Sequence, residues 1–130
     1  MLPGSYDLLD AQMSEEGRLA ASSFLVRLQA SVNANDLTSV AAMIRYPLRV
    51  DGKVTVQSPE DFVRLSQRII TAPVRAAILG QTPESLVLTS EGIVLGNGSV
   101  WLDSRCSLAV FNSECHDDGI QIIAIDGGTK

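Results

Sequence analysis

Three side chains that could take part in chemistry lie within residues 45–56, RYPLRVDGKVTV. Tyr46 could donate a hydrogen bond to a bound ligand, and Asp51 could act as a base with Arg49 close by. The same stretch is also typical of a β-hairpin, because an Asp-Gly pair lies between two short runs of alternating polar and apolar residues. The first question is therefore whether these residues form a site or only a turn.

Strand geometry favours the turn. Side chains alternate between the two faces of a strand, so if Leu48 and Val50 point into the interior, Arg49 and Asp51 point away from it. Asp51 is then explained by the preference of such turns for Asp before Gly. Tyr46 is interpreted as an aromatic packed over the mouth of the interior, with hydrogen bonding to a ligand as the alternative.

A second pair of candidates lies in residues 100–103, Val-Trp-Leu-Asp. Trp101 and Asp103 share one face of a predicted strand, and an acid beside an indole in a pocket would have its pKa raised by desolvation. The alternative is that Val100 and Leu102 face the core and Asp103 ends the strand in water. Trp101 is either a core or interface anchor or a surface on which a ligand packs.

The cysteines and the single histidine give no sign of a metal or a cofactor. Cys106, Cys115 and His116 lack the spacing of zinc ligands. A nucleophilic Cys-His pair would also need an orienting group and an oxyanion hole, which adjacency in a loop does not supply. If residues 107–111 and 120–125 pair as a hairpin, the two cysteines lie too far apart for a disulfide. We therefore predict free thiols, no metal and no cofactor.

The composition is that of one globular domain over residues 1–130, with residues 1–13 as an N-terminal extension. The chain is 45% hydrophobic, 19% charged and carries a net charge of −5. This acidic balance argues against nucleic acid as a partner, and no apolar run approaches the ~20 residues of a membrane span. With no visible signal peptide and free thiols, we expect a cytoplasmic protein. A periplasmic or secreted mature form whose signal has been removed is the alternative.

Helix signals dominate the first half of the chain. Met13-Ser14-Glu15-Glu16 predicts the start of a long helix, and Asn35 or Asp36 predicts the cap of a shorter second helix that Pro47 stops. Ser58-Pro59 predicts a third helix that closes at Pro73. The apolar positions assigned to the buried faces of these helices are Leu19, Phe24, Leu25, Leu28 and Val32, then Leu37, Val40, Ala41 and Ile44, then Phe62, Val63, Leu65, Ile69 and Ile70.

The second half predicts short strands separated by turn residues. Residues 74–79 fit either a strand or an irregular edge. The predicted strands are residues 86–89, 93–95, 100–102, 107–111 and 120–125. Helices followed by antiparallel strands indicate an α+β fold with the helices on one face of a sheet.

Several segments of this pattern resemble one known superfamily. They are Asn35-Asp36-Leu37 through Tyr46-Pro47-Leu48-Arg49-Val50, then Ser58-Pro59-Glu60-Asp61-Phe62, then Gly92 to Trp101, and finally Ile122-Ile123-Ala124-Ile125. Together they resemble the NTF2-like superfamily, which includes SnoaL-type cyclases and ketosteroid isomerases, and within it small bacterial members. The resemblance covers residues 15 to 126. It implies a cone made of three N-terminal helices packed on a strongly curved antiparallel sheet, with an apolar cavity inside.

The isomerase branch of that superfamily implies three catalytic roles, which this sequence only partly offers. The position of the base falls on Gly52, and the tyrosine expected near Leu28 is absent. A late-strand carboxyl could be Asp103, which is therefore the one catalytic candidate. Two of the three roles are missing, so the resemblance implies the fold more firmly than the reaction.

We therefore expect a non-catalytic protein that binds a small hydrophobic molecule in the cone, with Tyr46, Leu48, Val50 and Trp101 as candidate ligand contacts. The first alternative is an isomerase-, cyclase- or dehydratase-like enzyme that uses Asp103. The second is a dimeric adaptor for other proteins. In each case we expect a homodimer through the uncovered face of the sheet.

Overall fold

The computed structural model describes residues 15–89, 92–96, 98–104 and 119–126. Four α-helices and six strands are found in these ranges. The helices are α1 (Glu15–Asn33), α2 (Leu37–Ala42), α3 (Pro59–Ile69) and α4 (Ala72–Gly80), followed by a 3-10 turn at Pro83–Ser85. The strands are β1 (Ile44–Val50), β2 (Lys53–Val56), β3 (Val87–Thr89), β4 (Gly92–Leu95), β5 (Val100–Ser104) and β6 (Ile120–Ile125). The predicted α+β class is confirmed.

Two of the predicted helix caps are confirmed in detail. The Asp36 carboxylate accepts a hydrogen bond from the Ser39 backbone N–H at 3.2 Å, which starts α2. The Ser58 hydroxyl accepts from the Asp61 backbone N–H at 3.2 Å, and Pro59 occupies the first turn of α3.

Three helix predictions were wrong. The predicted second helix ran to Ile44, but α2 ends at Ala42 and Ile44 begins β1, because β6 provides a strand for it to pair with. Residues 74–79 form most of α4 rather than a strand or edge: Pro73 lies in its first turn, and Val74 and Ile78 are buried one turn apart.

The third error concerns which helical side chains are buried. Leu19 is 62% exposed, because α1 packs through the face that carries Ala20, Phe24 and Leu28. Val63 is 39% exposed, because α3 buries its neighbour Phe62 instead.

The predicted hairpin in residues 45–56 is confirmed. Asp51 and Gly52 join β1 to β2, and both have positive φ, at 54° and 82°, as the favoured two-residue hairpin turn requires. Leu48 is fully buried while Arg49 is exposed, so the predicted parity of β1 is also confirmed.

The sheet is mixed, which corrects the prediction of an antiparallel sheet. Its order is β2-β1-β6-β5-β4-β3, and β1 runs parallel to β6 while the other neighbours are antiparallel. β1 is irregular between Ile44 and Arg49, which spans Pro47, a residue with no N–H to donate to a ladder. The described sheet is open, with β2 and β3 at its edges.

One face of the sheet forms a single hydrophobic cluster with the helices. Its largest fully buried side chains are Phe24, Phe62, Leu25, Leu28, Leu48, Ile78, Ile93, Leu95, Leu102, Ile120, Ile122 and Ile125. Within the described ranges, no helix is long and apolar enough to cross a membrane. Cys106, Cys115, His116 and the predicted strand at residues 107–111 lie outside the described residues, so the predictions of free thiols and of a cytoplasmic location stay predictions.

Candidate binding cleft on the outer face of the sheet

The face of the sheet that points away from the hydrophobic cluster carries a row of aligned side chains. Five residues follow one another across neighbouring strands, because Val87 pairs with Val94, Val94 with Trp101, Trp101 with Ala124, and Ala124 with Arg49. We call Val87, Val94, Trp101, Ala124 and Arg49 the outer row. Val94, Trp101 and Ala124 are half-buried, whereas Val87 is 52% exposed. An apolar band therefore remains accessible on this face among the described residues.

Ala124 leaves a gap in this row between two large side chains. Arg49 and Trp101 both pair with it, so their Cα atoms lie two strand spacings, or roughly 10 Å, apart. Because alanine carries only a methyl group, the space between these two longer side chains is left open above β6.

A bulge in β6 forms the floor of this gap. Trp101 pairs with Ala124 but Leu102 pairs with Ile122, so Ile123 is an extra residue in β6. Both Ile123 and Ala124 are half-buried. Bulges re-aim side chains and are frequent beside functional sites. The resulting cleft has a volume of about 390 Å³ and is lined by Arg49, Gly52, Trp101 and residues 123–126. We call it the outer cleft.

Backbone hydrogen bonds fix the two ends of the outer cleft. The Asp51 N–H donates to the Ile125 carbonyl at 3.0 Å, which joins the hairpin turn to β6. The Asp126 N–H donates to the Ser99 carbonyl at 2.8 Å, which joins β6 to the turn before β5. The cleft is therefore built on paired strands and anchored turns, which hold its side chains more precisely than loops would.

The indole of Trp101 is also held in place. Its Nε1–H donates to the Gly98 carbonyl at 3.2 Å, so the polar atom is satisfied within the protein. Gly98 has φ of 95°, and a Cβ at this position would contact the edge of the indole. The edge of the ring is thus occupied by the turn, and the part of the side chain that lines the cleft offers an apolar aromatic surface.

The charged groups in the cleft are Arg49 and Asp126. Arg49 is exposed, and no carboxylate of the described residues lies within ion-pair distance of its guanidinium. Asp126 is half-buried and interacts within the protein. The cleft therefore presents a cation at one side, an aromatic ring at the other and an acid at its end.

Asp103, the catalytic candidate, lies on this outer face and not in the interior. Its Oδ2 accepts from Arg45 at 3.1 Å, and the same guanidinium donates through Nε to Gln121 at 3.1 Å. The side chain of Asp103 is 46% exposed, and its Oδ1 accepts the Ser104 backbone N–H. This carboxylate is held in a surface ion pair that links β1 to β5 across β6. It is therefore not the desolvated interior acid that the isomerase-like alternative requires.

The four predicted ligand contacts do not share one surface. Leu48 is part of the packed core, and Val50 packs against that core at its margin. Tyr46 is half-buried and donates its hydroxyl hydrogen to the Ala41 carbonyl at 2.9 Å. Burial, and secondarily the negative charge of Glu60, raise the pKa of Tyr46 to about 12. Only Trp101 of the four lines the outer cleft.

The interior offers little for chemistry in the part of the chain that the structure describes. Ser66 is the one polar residue among the buried side chains there, and its hydroxyl donates to the Val63 carbonyl at 2.9 Å. No cluster of three His, Cys, Asp or Glu residues suited to a metal occurs in the described ranges. The other buried positions of the interior are occupied by aliphatic and aromatic side chains of the protein itself.

A second apolar depression lies between α2 and α3 on the protein surface. It has a volume of about 490 Å³ and is lined by Thr38, Ala41, Ala42, Pro59, Glu60 and Val63. Compared with the outer cleft, it lacks an aromatic side chain and an arginine among its lining residues.

The outer cleft is only partly predictable from the sequence. Parity along β1 predicts that Arg49 points outward, whereas the sequence left the orientation of Trp101 open. Their proximity depends on β6 lying between them with a small residue at the shared register, and no local pattern indicates that register. Arg45 and Gln121, which hold Asp103, were missed for the same reason.

Comparison with known proteins adds no relative for this chain. No family model, no curated protein and no solved structure matches it.

Proposed function

We propose that this chain is a non-catalytic NTF2-like domain that binds a small aromatic molecule in the outer cleft. The observation that carries the proposal is the half-buried indole of Trp101 facing a cleft of about 390 Å³ whose floor is opened by Ala124. Ligand sites are typically concave, mostly apolar and supplied with a few fixed polar groups. The order of two helices, a hairpin, the capped helix α3, a further helix α4 and a run of strands supports the NTF2-like part of the proposal.

The proposed ligand site lies on the outside of the sheet and not inside the predicted cone. The sequence predicted an interior site, but the described interior is filled by residues such as Phe24, Leu48 and Phe62, each with at most 1% of its surface exposed. A ligand there would have to displace packed side chains, which costs several kcal/mol for each large residue. The outer cleft needs no such rearrangement.

Binding is favoured over the isomerase-like alternative. An enzyme of that kind needs titratable side chains that converge on one cavity. Asp103 and Tyr46 instead lie apart, the first paired with Arg45 and the second bonded to Ala41.

The chain contains a single tryptophan, so its indole N–H gives one resolved NMR signal located at the proposed site. Titration with benzyl alcohol, a neutral aromatic probe, should shift this signal saturably. Ala124→Leu should weaken the affinity for benzyl alcohol at least fivefold, because the added carbons fill the gap between Arg49 and Trp101. Ala76→Leu, the same change at an exposed position of α4, is the matched control. An unshifted indole signal, or equal binding by both variants, would reject the site.

A second candidate function is homodimerisation through the same face. Val87 is 52% exposed in the outer row, and no described helix covers it. Six strands are separated by five spacings of about 4.8 Å and are roughly 17 Å long, which gives a face of roughly 400 Å², so two copies would bury roughly 800 Å². Stable interfaces bury more than about 1,000 Å², so we expect a weak, concentration-dependent dimer.

Sedimentation velocity over a wide concentration range tests the dimer. Val87→Asp should abolish association by placing a charge in the interface, whereas Val63→Asp on α3 should leave it unchanged. Both valines are exposed, so the comparison separates the location of the charge from its effect on solubility. A wild-type protein that stays monomeric throughout would exclude this candidate.

A further inference from the structure

We propose that the ligand of the outer cleft is an aromatic carboxylate, whose carboxylate pairs with Arg49 while its ring packs on Trp101. This inference rests on the proposed function, since it names the chemical class of ligand for the same cleft. It depends on three observations: the state of the Arg49 guanidinium, the arrangement of the two side chains on either side of Ala124, and the charges around the cleft.

The first observation is that Arg49 differs from three arginines whose guanidinium groups donate hydrogen bonds within the protein. Arg45 donates to Asp103 and Gln121, Arg64 to Asp61, and Arg75 to the Val32 carbonyl. Among the described residues, no carboxylate pairs with Arg49 although it points into a cleft. The planar fork of an arginine matches a carboxylate through two parallel N–H···O bonds. Arg49 is therefore placed to bind an external anion.

The second observation is the arrangement across three strands. Arg49 on β1 and Trp101 on β5 lie in register with Ala124 on β6, roughly 10 Å apart between Cα atoms. A molecule that bridges them must carry its aromatic part and its anionic group within that span. A ring bearing a directly attached carboxylate meets this requirement, because the carboxylate at the edge of the ring can reach Arg49 while the ring contacts the indole.

The third observation concerns charge. Asp126 lines the same cleft, and its negative charge opposes an anionic ligand. The net charge of −5 opposes it as well, but at longer range, where salt screens the repulsion. Affinity for the carboxylate should therefore rise when Asp126 is neutralised, a response that a neutral ligand would not give.

The experiment follows the indole N–H signal of Trp101 during titration with benzoate, and with benzamide as the neutral analogue of the same shape. We expect benzoate to bind at least fivefold more tightly than benzamide. Arg49→Gln should remove this difference by weakening benzoate alone, and Asp126→Asn should strengthen benzoate alone. Arg68→Gln on α3 is the matched control: Arg68 is also exposed, but it does not line the cleft.

The outcomes separate this inference from the proposed function. Equal affinities for benzoate and benzamide, unchanged in Arg49→Gln, would overturn the carboxylate assignment and leave the aromatic site standing. A failure of both probes to shift the indole signal would overturn both. Loss of the benzoate preference in Arg68→Gln as well would show a general charge effect and would also overturn the assignment to Arg49.

Discussion

The ion pair between Arg45 and Asp103 allows a quantitative test of the role assigned to Asp103. If this carboxylate is a structural link on the outer face, the pair should contribute to the free energy of unfolding. At the observed 3.1 Å, two unit charges in water attract by roughly 1.3 kcal/mol. The side chains are 35% and 46% exposed, so solvent screening and lost side-chain entropy reduce the net coupling to about 0.5–1 kcal/mol.

A double-mutant cycle measures this coupling directly. Urea denaturation gives the free energy of unfolding of Arg45→Gln, Asp103→Asn and the double variant. The coupling energy is the change in the double variant minus the sum of the changes in the two single variants. Asn retains an Oδ1 for the Ser104 backbone N–H, so that bond is kept in the variant. We expect the coupling to fall in 1 M NaCl, where the screening length is about 3 Å.

The matched control is a second double-mutant cycle in which Arg49 takes the place of Arg45. Arg49 lies on the same strand and the same face. The cycle of Arg49→Gln with Asp103→Asn should give a coupling within about 0.3 kcal/mol of zero, since Arg49 lies outside ion-pair distance of Asp103. A coupling as large as that of Arg45, or no measurable coupling for Arg45 itself, would refute the argument from the observed geometry.

Three further predictions concern the interior, a helix cap and pH. Leu48→Ala should lower the free energy of unfolding by about 2–5 kcal/mol in urea melts, because the side chain is fully buried. Ser58→Ala should cost about 1 kcal/mol in the same assay through loss of the α3 cap. Burial raises the pKa of Tyr46 from 10.0 to about 12 in the folded protein, so its stabilising contribution is complete below pH 10 and is lost as pH rises from 10 to about 12. Tyrosinate absorbance in a Tyr6→Phe background follows this titration, and an apparent pKa near 10 would contradict the burial of Tyr46.

The sequence predicted the features that are encoded locally. The caps at Asp36 and Ser58 and the Asp51-Gly52 turn depend on a few adjacent residues, and all are found in the structure. The parity of Leu48 and Arg49 follows from strand geometry once the hairpin is recognised. These predictions succeeded because the long-range contacts at these positions favour the same conformations as the local sequence does.

The errors occur where distant residues decide the outcome. Ile44 continues a helical pattern in the sequence, but pairing with Ile122 makes it the start of a strand. Pro73 has the same local signature whether it ends one helix or begins the next, and the burial of Val74 and Ile78 selects the second. The outer cleft depends on the register of β6, including its bulge at Ile123, which no segment of the sequence specifies alone.

The position of β6 also has a consequence for how the chain assembles. The last described strand lies at the centre of the sheet, between β1 and β5, and its contact with β1 joins residues 76 positions apart at Arg45 and Gln121. Without β6, the β1–β2 hairpin and the β3–β5 strands would be two separate half-sheets, each with an unpaired inner edge. Such edges are templates for pairing with other chains, and contacts this distant in sequence slow folding. A chain truncated before Ile120 should therefore aggregate, and the pairing of β6 with both inner edges should be the step that joins the two half-sheets into one sheet.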